Sequence, residues 1–311
     1  MTDSMAGSRE GSMAPNPPVA IAWIGDPLAP ERGQWGSPGE LTVPIDERGL
    51  LLADGLFETL LVEEGRIRLL EEHLDRWRQG AQLLALPAPP ARDLLLPLVA
   101  HAVNRSGIAS GALRLNWSRG SAGPTGRGLD LPPAGTTTAR FWLQLTAARP
   151  SFEPLSTIIS QRERRNPASL LSRCKSFAYA AQIQARREAR EAGADDALLL
   201  ASGGELSCGA AANLLVRQGS QWLTPPLSSG CLPGVMRGRA LRLGVAREQL
   251  LEPQALKHCE AALLINSLGC RPIQRCEGRP LAHPTAAAAA DLWRALLEGE
   301  TGQRQPCTEM R

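Results

Sequence analysis

The octapeptide AARPSFEP, residues 147–154, divides this 311-residue chain into two stretches that alternate strands and helices differently. Its prolines and lack of an apolar period mark a linker. Each flank is long enough to bury a core of its own. The expectation is a mixed α and β protein, α/β in class, with two domains. The smaller spans 19–146 and the larger 155–298, between a polar leader over 1–18 and a frayed tail over 299–311.

In the first stretch VAIAWI (19–24), LFETLLVEE (56–64) and RIRLL (66–70) read as strands, with Gly65 as a hairpin turn. Leu70, Leu74, Trp77, Ala81 and Leu84 then recur at helical steps, one apolar stripe facing a core. PAPPAR (87–92) ends that helix, and a second runs over about 93–105 to Ser106-Gly107. ALRLNWS (112–118) and ARFWLQLT (139–146) are strands flanking a loop rich in Gly, Pro and Thr. In the second stretch a long Ala/Arg/Glu helix is expected from Lys175 to Ala192, stopped by Gly193. Strands follow at 195–202, 212–218, 221–224 and 261–266, with helices opening at LPG (232–234) and closing the chain at 285–299.

Composition narrows the function classes. A net charge of +3 is too small to argue for nucleic acid or an acidic membrane. No run reaches the length of a membrane span. The leader carries Asp3 and Glu10 and no apolar core, so it makes a poor signal peptide. Seven cysteines, at 174, 208, 231, 259, 270, 276 and 307, include no Cys-x-x-Cys pair, and no histidines cluster at zinc spacing. They read as reduced thiols of a cytoplasmic protein without a metal site. RGSAGPTGRG (119–128) is glycine-rich but lacks the Gly-Lys-Ser/Thr of a nucleotide loop.

Of 34 basic residues only Lys175 and Lys257 are lysines. A solvated positive charge is served as well by arginine. An amine that must lose its proton and attack a carbonyl is not, because guanidinium stays protonated. Lys175 is expected at a helix start, where the macrodipole disfavours a positive charge. Tyr179, the chain's only tyrosine, stands four residues on, on the same helical face. Lys257 precedes His258 in a polar stretch and reads as surface. His73 reads as a packing residue or one supporting the site from behind.

Four spaced segments carry a resemblance over about residues 19–297. IDERGLLLADGLFETLLV (45–62) is similar to the D-R-G-x-x-x-G-D-G-x-F-E-T opening of fold-type IV pyridoxal-phosphate enzymes, the class IV aminotransferase family, with Glu47 inserted. LLEEHLDRW (69–77) resembles the family's L-x-x-H-x-x-R-L helix, and LTPPLSSGCLPGVMR (223–237) its T-P-P-x-x-x-G-I-L-P-G-x-T-R segment. The segment around Lys175 resembles that of the family's lysine. The resemblance implies pyridoxal phosphate held covalently by Lys175, which then shuttles protons. It implies Tyr179 beside the cofactor's phenolic oxygen, and Arg76 on its phosphate with Ser267 and the N–H groups of Val235 and Met236. It further implies a small-molecule substrate and a homodimer with the cofactor between two domains.

One position departs from the pattern. Where the family places a glutamate against the pyridine nitrogen, GELSCGAAAN (204–213) has Cys208. Glu205 is three residues away and in a strand points to the opposite face. A neutral thiol supplies no fixed negative charge. The ring becomes a poorer electron sink, which favours an elimination ending in an aromatic product over transamination.

Within the family the chain resembles the 4-amino-4-deoxychorismate lyases, which release pyruvate and 4-aminobenzoate for folate biosynthesis. SRGSAGPTGRG (118–128) is similar to their S-R-G-x-x-x-R-G loop, whose arginines, here Arg119 and Arg127, would receive the substrate carboxylates. Met236, the AAAN run (210–213) and the NSL run (266–268) are also lyase-like. The alternatives are a branched-chain or D-amino-acid transaminase, and a cofactor-binding protein without turnover.

Overall fold

The computed structural model describes residues 18–121, 129–130 and 138–299. Arg127, most of the predicted leader and the tail beyond Gly299 lie outside the described residues.

The first sheet is antiparallel throughout. Its strands are β1 (Ile21–Gly25), β2 (Gln34–Gly36), β3 (Gly55–Glu63), β4 (Arg66–Ile67), β5 (Gly111–Ser118) and β6 (Arg140–Ala147), in the order β2-β1-β6-β5-β3-β4. Helix α1 (Arg48–Leu52) precedes β3, and α2 (Leu70–Leu83) and α3 (Arg92–Ser106) cover the sheet. The predicted stripe of α2 is the buried one: Leu70, Leu74, Trp77 and Ala81 pack into a core with Leu60, Leu113 and Leu143. Removing Trp77 from that core would cost about 3–5 kcal/mol. Arg66–Ile67 is all of the strand expected over 66–70, because Leu70 already begins α2. Gly107, at φ 67°, ends α3 in the left-handed region that glycine tolerates.

Glu47, an insertion relative to the family's opening motif, is buried. It caps α1 by accepting from the Gly49 N–H at 3.1 Å, and it also accepts from Ser118 Oγ at 2.5 Å and Arg140 Nε at 2.7 Å. The inserted residue therefore ties α1 to β5 and β6.

The second sheet contains β7 (Leu155–Arg165), β8 (Asp196–Ala201), β9 (Leu206–Gly209), β10 (Asn213–Gln218), β11 (Gln221–Thr224), β12 (Ala246–Glu248), β13 (Ala261–Asn266), β14 (Gly269–Cys276) and β15 (Arg279–Pro280). The order is β12-β11-β10-β13-β14-β7-β8-β9, with β15 on β14. A bridge between Cys208 and Asn213 pairs β9 with β10, so β10, β13, β14, β7, β8 and β9 close on themselves as a barrel-like ring. Closure removes two exposed edges. Four helices lie in this half: the single turn α4 (Leu170–Arg173), α5 (Ala180–Glu191) on β7 and β8, α6 (Val235–Arg242) on β13, and α7 (Ala286–Glu298) on β14. Met236, Leu263, Ile265, Trp293 and Leu296 form the core under α6 and α7.

The helix expected from Lys175 starts only at Ala180. Residues 175–177 instead extend β3 at its start: the Phe57 N–H donates to the Lys175 carbonyl at 2.9 Å and the Phe177 N–H to the Gly55 carbonyl at 3.0 Å. A side chain at Gly55 would strike the Phe177 ring, its Cβ falling 2.3 Å from a ring carbon. The close approach of the two halves at this point needs glycine.

Candidate active site

Where the 175–177 segment meets β3, a cavity of about 520 Å³ opens between the two sheets. Lys175, Tyr179, Arg76, Cys208, Val235, Met236 and Ser267 all line it. Lys175 Nζ lies 3.2 Å from Tyr179 Oη and 4.3 Å from the centre of the Phe57 ring. This proximity does not come from one helical face. Lys175 is extended and Tyr179 is the residue just before α5, so the chain folds back between them.

Burial is the largest cause that lowers the Lys175 ammonium, and the Arg76 and Arg114 guanidiniums add to it. Glu58 opposes them, and the balance leaves the amine at about 7. Burial pushes the Tyr179 phenol up, so its hydroxyl keeps its proton and remains a donor.

Arg76 reaches the cavity from α2. Its Nε donates to Glu58 Oε1 at 2.8 Å, its Nη2 to Glu58 Oε2, and its Nη1 to the Pro233 carbonyl at 3.3 Å. Glu58 lies behind it on β3, fully buried. Burial alone would raise that carboxyl, but Arg76 and His73 outweigh it and hold it at about 2. His73 Nδ1 sits 2.7 Å from Glu58 Oε2, and His73 Nε2 sits 3.0 Å from Ser267 Oγ. Burial lowers the imidazole despite Glu58, so it stays neutral. A neutral ring that donates from Nδ1 to Glu58 must accept at Nε2, so the Ser267 hydroxyl donates to it. Glu58 and its bridging role escaped sequence reasoning, and the family's F-E-T motif was the signal that marked it.

The α6 N-terminus faces the same end of the cavity. No side chain caps it, so the Val235 and Met236 N–H groups are free for an anion. Asn213 Nδ2 donates to the Leu232 carbonyl at 2.9 Å and fixes the turn. A Cβ on Gly234 would fall 1.8 Å from Asn213 Oδ1, so the turn can approach only without a side chain.

Cys208 sits at the barrel seam, buried, with burial raising its thiol. Glu205 does not line the cavity.

Arg119 is placed elsewhere. Its Nε donates to Asp54 Oδ2 at 2.8 Å, and its other nitrogens reach Asp54 Oδ1 and the Leu84 and Ala85 carbonyls. Arg48 Nε meets the same Asp54 carboxylate at 2.9 Å. Arg119, expected to receive a substrate carboxylate, does not line the cavity, and its fork is occupied by Asp54 because the Gly55–Ser118 register sets it there. Arg114, five residues earlier and within β5, lines the cavity instead. Its guanidinium lies 3.6 Å over the Phe57 ring, its Nε donates to Asn116 Oδ1 at 2.8 Å, and burial lowers it. It pairs with no carboxylate among the described residues. Alternation along β5 would have placed Arg114 on a defined face, but nothing local showed which face held the cavity.

A buried amine at about 7, a phenol beside it and an uncapped helix N-terminus fit pyridoxal phosphate: a carbonyl to be held by the amine, a phenolic oxygen and a phosphate. The model of the amino-transferase class IV family matches residues 55–276, and the chain belongs to that family. It is a pyridoxal-phosphate-dependent enzyme of the aminotransferase and lyase type. The branched-chain-amino-acid aminotransferase of Salmonella typhimurium is 27% identical over 245 residues, which cover 74% of this chain and 78% of that one. A bifunctional aminodeoxychorismate lyase / D-amino acid transaminase of Mycobacterium tuberculosis is 30% identical over 181 residues, 55% of this chain and 60% of that one. Among solved structures, a fold IV-transaminase from Curtobacterium pusillum superposes with a TM-score of 0.74 at 26% identity, covering 89% of this chain and 97% of that one. Among the described residues, no helix is long and apolar enough to cross a membrane, and no group of His, Cys, Asp and Glu is placed to hold a metal ion.

Proposed function

We propose that the enzyme is a 4-amino-4-deoxychorismate lyase, which eliminates pyruvate to leave 4-aminobenzoate. One observation carries this reading: the cavity wall presents Arg114, Arg164 and Arg165, none paired with a carboxylate among the described residues, and the substrate is a dicarboxylate. When bound, pyridoxal phosphate withdraws electrons from the carbon that loses a proton. Lys175 would hold the cofactor, Arg76 and the Val235 and Met236 N–H groups would hold its phosphate, and Tyr179 would donate to its phenolic oxygen, while Ser267 fixes His73 and through it Glu58 and Arg76. Arg114 receives a substrate carboxylate. Once the substrate's ring amine has taken its place on the cofactor, Lys175 Nζ is free and in its neutral form takes the proton from ring carbon 4 of the substrate. The bond from the ring to the enolpyruvyl oxygen breaks, the ring becomes aromatic, and the departing enol takes up a proton as pyruvate.

A branched-chain transaminase is the second reading. It is favoured by the apolar wall of Phe57, Leu171, Phe177 and Ile183 and by the Salmonella relative. Exposed Ile45, Leu50 and Leu51 are suited to a homodimer face. Purified enzyme should release 4-aminobenzoate and pyruvate from aminodeoxychorismate and fail to transfer the amine of leucine to 2-oxoglutarate. Turnover of the second pair alone would reverse the assignment.

A further inference from the structure

Among the described residues, no aspartate or glutamate lines the cavity. Five cationic side chains do: Arg76, Arg114, Arg164, Arg165 and Lys175. Of these only Arg76 meets a carboxylate, that of Glu58 behind it. Arg165 is spent on carbonyls, with Nε donating to Gly230 at 2.8 Å and Nη2 to Ser172 at 3.1 Å, so its charge stays uncancelled.

Pyridoxal phosphate carries its ring nitrogen opposite the carbon that a lysine takes. A protonated pyridine is a cation. It persists at neutral pH beside an anion and is disfavoured beside other cations in a partly dehydrated site. This wall supplies guanidiniums and neutral groups. The neutral ones include the Cys208 thiol, which is buried and lies within the field of Arg165. Asp196 also acts on Cys208, but it stands outside the cavity wall. There it accepts from the Ala197 N–H at 2.8 Å and from Arg186 at 3.4 Å.

We propose that this enzyme holds the pyridine nitrogen of its cofactor unprotonated, because the cavity wall offers guanidiniums and the neutral Cys208 thiol and no carboxylate that would stabilise a ring proton. The inference rests on the cofactor-binding reading of the site given above. A neutral ring stores the electron pair of a carbanion poorly. Elimination that ends in an aromatic ring draws its driving force from the product and tolerates this, whereas transamination must pass the pair through the ring. Cys208 is then a residue that selects between two outcomes of the same proton removal.

The test is the nitrogen resonance of holoenzyme loaded with pyridoxal phosphate labelled with ¹⁵N in the ring. The wild-type signal is expected at the free-pyridine position at neutral pH and to stay there in Cys208→Ser. In Cys208→Glu it should move to the pyridinium position, and the ratio of transamination to elimination should rise. A pyridinium signal in the wild type overturns the inference while leaving the function reading intact. That spectrum decides the matter even where Cys208→Glu does not fold. Protein that takes up no labelled cofactor, and shows no Lys175 adduct by peptide mass after borohydride reduction, overturns the site reading as well.

Discussion

Two groups of arginines in this molecule are treated in opposite ways. On one side Arg48 and Arg119 converge on Asp54. Burial would raise that carboxyl, but the two guanidiniums outweigh it and hold it below the usual range. Every charge there has a partner inside the protein. On the other side Arg114 and Arg165 share a cavity that no described carboxylate lines. The first arrangement stabilises the fold and has nothing left to offer a ligand. The second leaves positive charge partly dehydrated and uncancelled, and an anionic ligand can relieve it. Arginine content alone does not mark a binding site. Positive charge left without a carboxylate inside a cavity is the better sign.

The largest expected effect tests whether the cavity needs one cation that can become neutral. Lys175→Arg replaces an amine held at about 7 with a group that stays charged. Turnover should fall by more than about 10⁴-fold, the upper end for a lost proton-transfer group. Borohydride reduction should leave no cofactor-modified peptide. Retained turnover would mean that the reacting amine lies elsewhere.

The next pair of variants sets the two arginine groups directly against each other. Arg114→Gln should raise KM for the dicarboxylate substrate by about 10- to 150-fold, the range for a hydrogen bond to a charged group, with little change in Tm. Arg119→Gln should do the reverse. KM should hold while stability drops by about 1–3 kcal/mol, because Asp54 keeps only Arg48. Steady-state kinetics beside thermal melts of both variants would read this out. Exchange of the two outcomes would make Arg119 the ligand residue after all.

What the sequence showed follows from how local each signal is. The α2 stripe and the Gly107 and Gly193 stops were legible because a helix face and a cap are written within a few residues. Glu58 was not, because its strand is buried on nearly every residue and so has no polar alternation to break. Strand β14 carries Pro272, a residue that argues against a central strand. It nevertheless lies between β13 and β7, with Pro272 opposite Leu263. The Asp54–Arg119 pair spans 65 residues and depends on β3–β5 register, which no local pattern records. Tyr179 lies beside Lys175 as the spacing of four suggests, yet not through a shared helical face, because the helix expected from Lys175 begins only at Ala180, five residues later.

The uncancelled charge of the cavity should also be visible as a pH dependence. Capture of pyridoxal phosphate by the apoenzyme needs neutral Lys175. Its folded pKa lies at about 7, below the ordinary 10.5, so the neutral form dominates above 7. The capture rate should rise about tenfold per unit up to pH 7 and then level off, as stopped-flow absorbance can show. A rise continuing towards pH 10 would mean that the amine is not depressed. The same shift costs stability below pH 7, and that cost is relieved as pH rises from 7 to 10.5, where the unfolded chain still binds the proton that the folded one has released. Glu58 acts at the other end. With its folded pKa depressed from 4.5 to about 2, its contribution is present above 4.5 and is lost as pH falls towards 2.

The smallest effect belongs to the other lysine, and it separates lysine as a chemical requirement from lysine as one more positive charge. Lys257 is exposed at the end of a single turn of 3₁₀ helix and does not line the cavity. Lys257→Arg keeps the charge and changes only the geometry of a solvated side chain, so stability should move by less than about 0.5 kcal/mol and turnover should not change. The same chemical exchange, made at the two lysines of one chain, then spans the whole range from abolished catalysis to no effect. The difference lies in what surrounds each amine: water at Lys257, and at Lys175 burial, reinforced by the Arg76 and Arg114 guanidiniums, which lowers the amine to about 7. A loss of turnover in Lys257→Arg would place a second reactive amine outside the cavity and break the division between a paired structural cluster and an unpaired catalytic one.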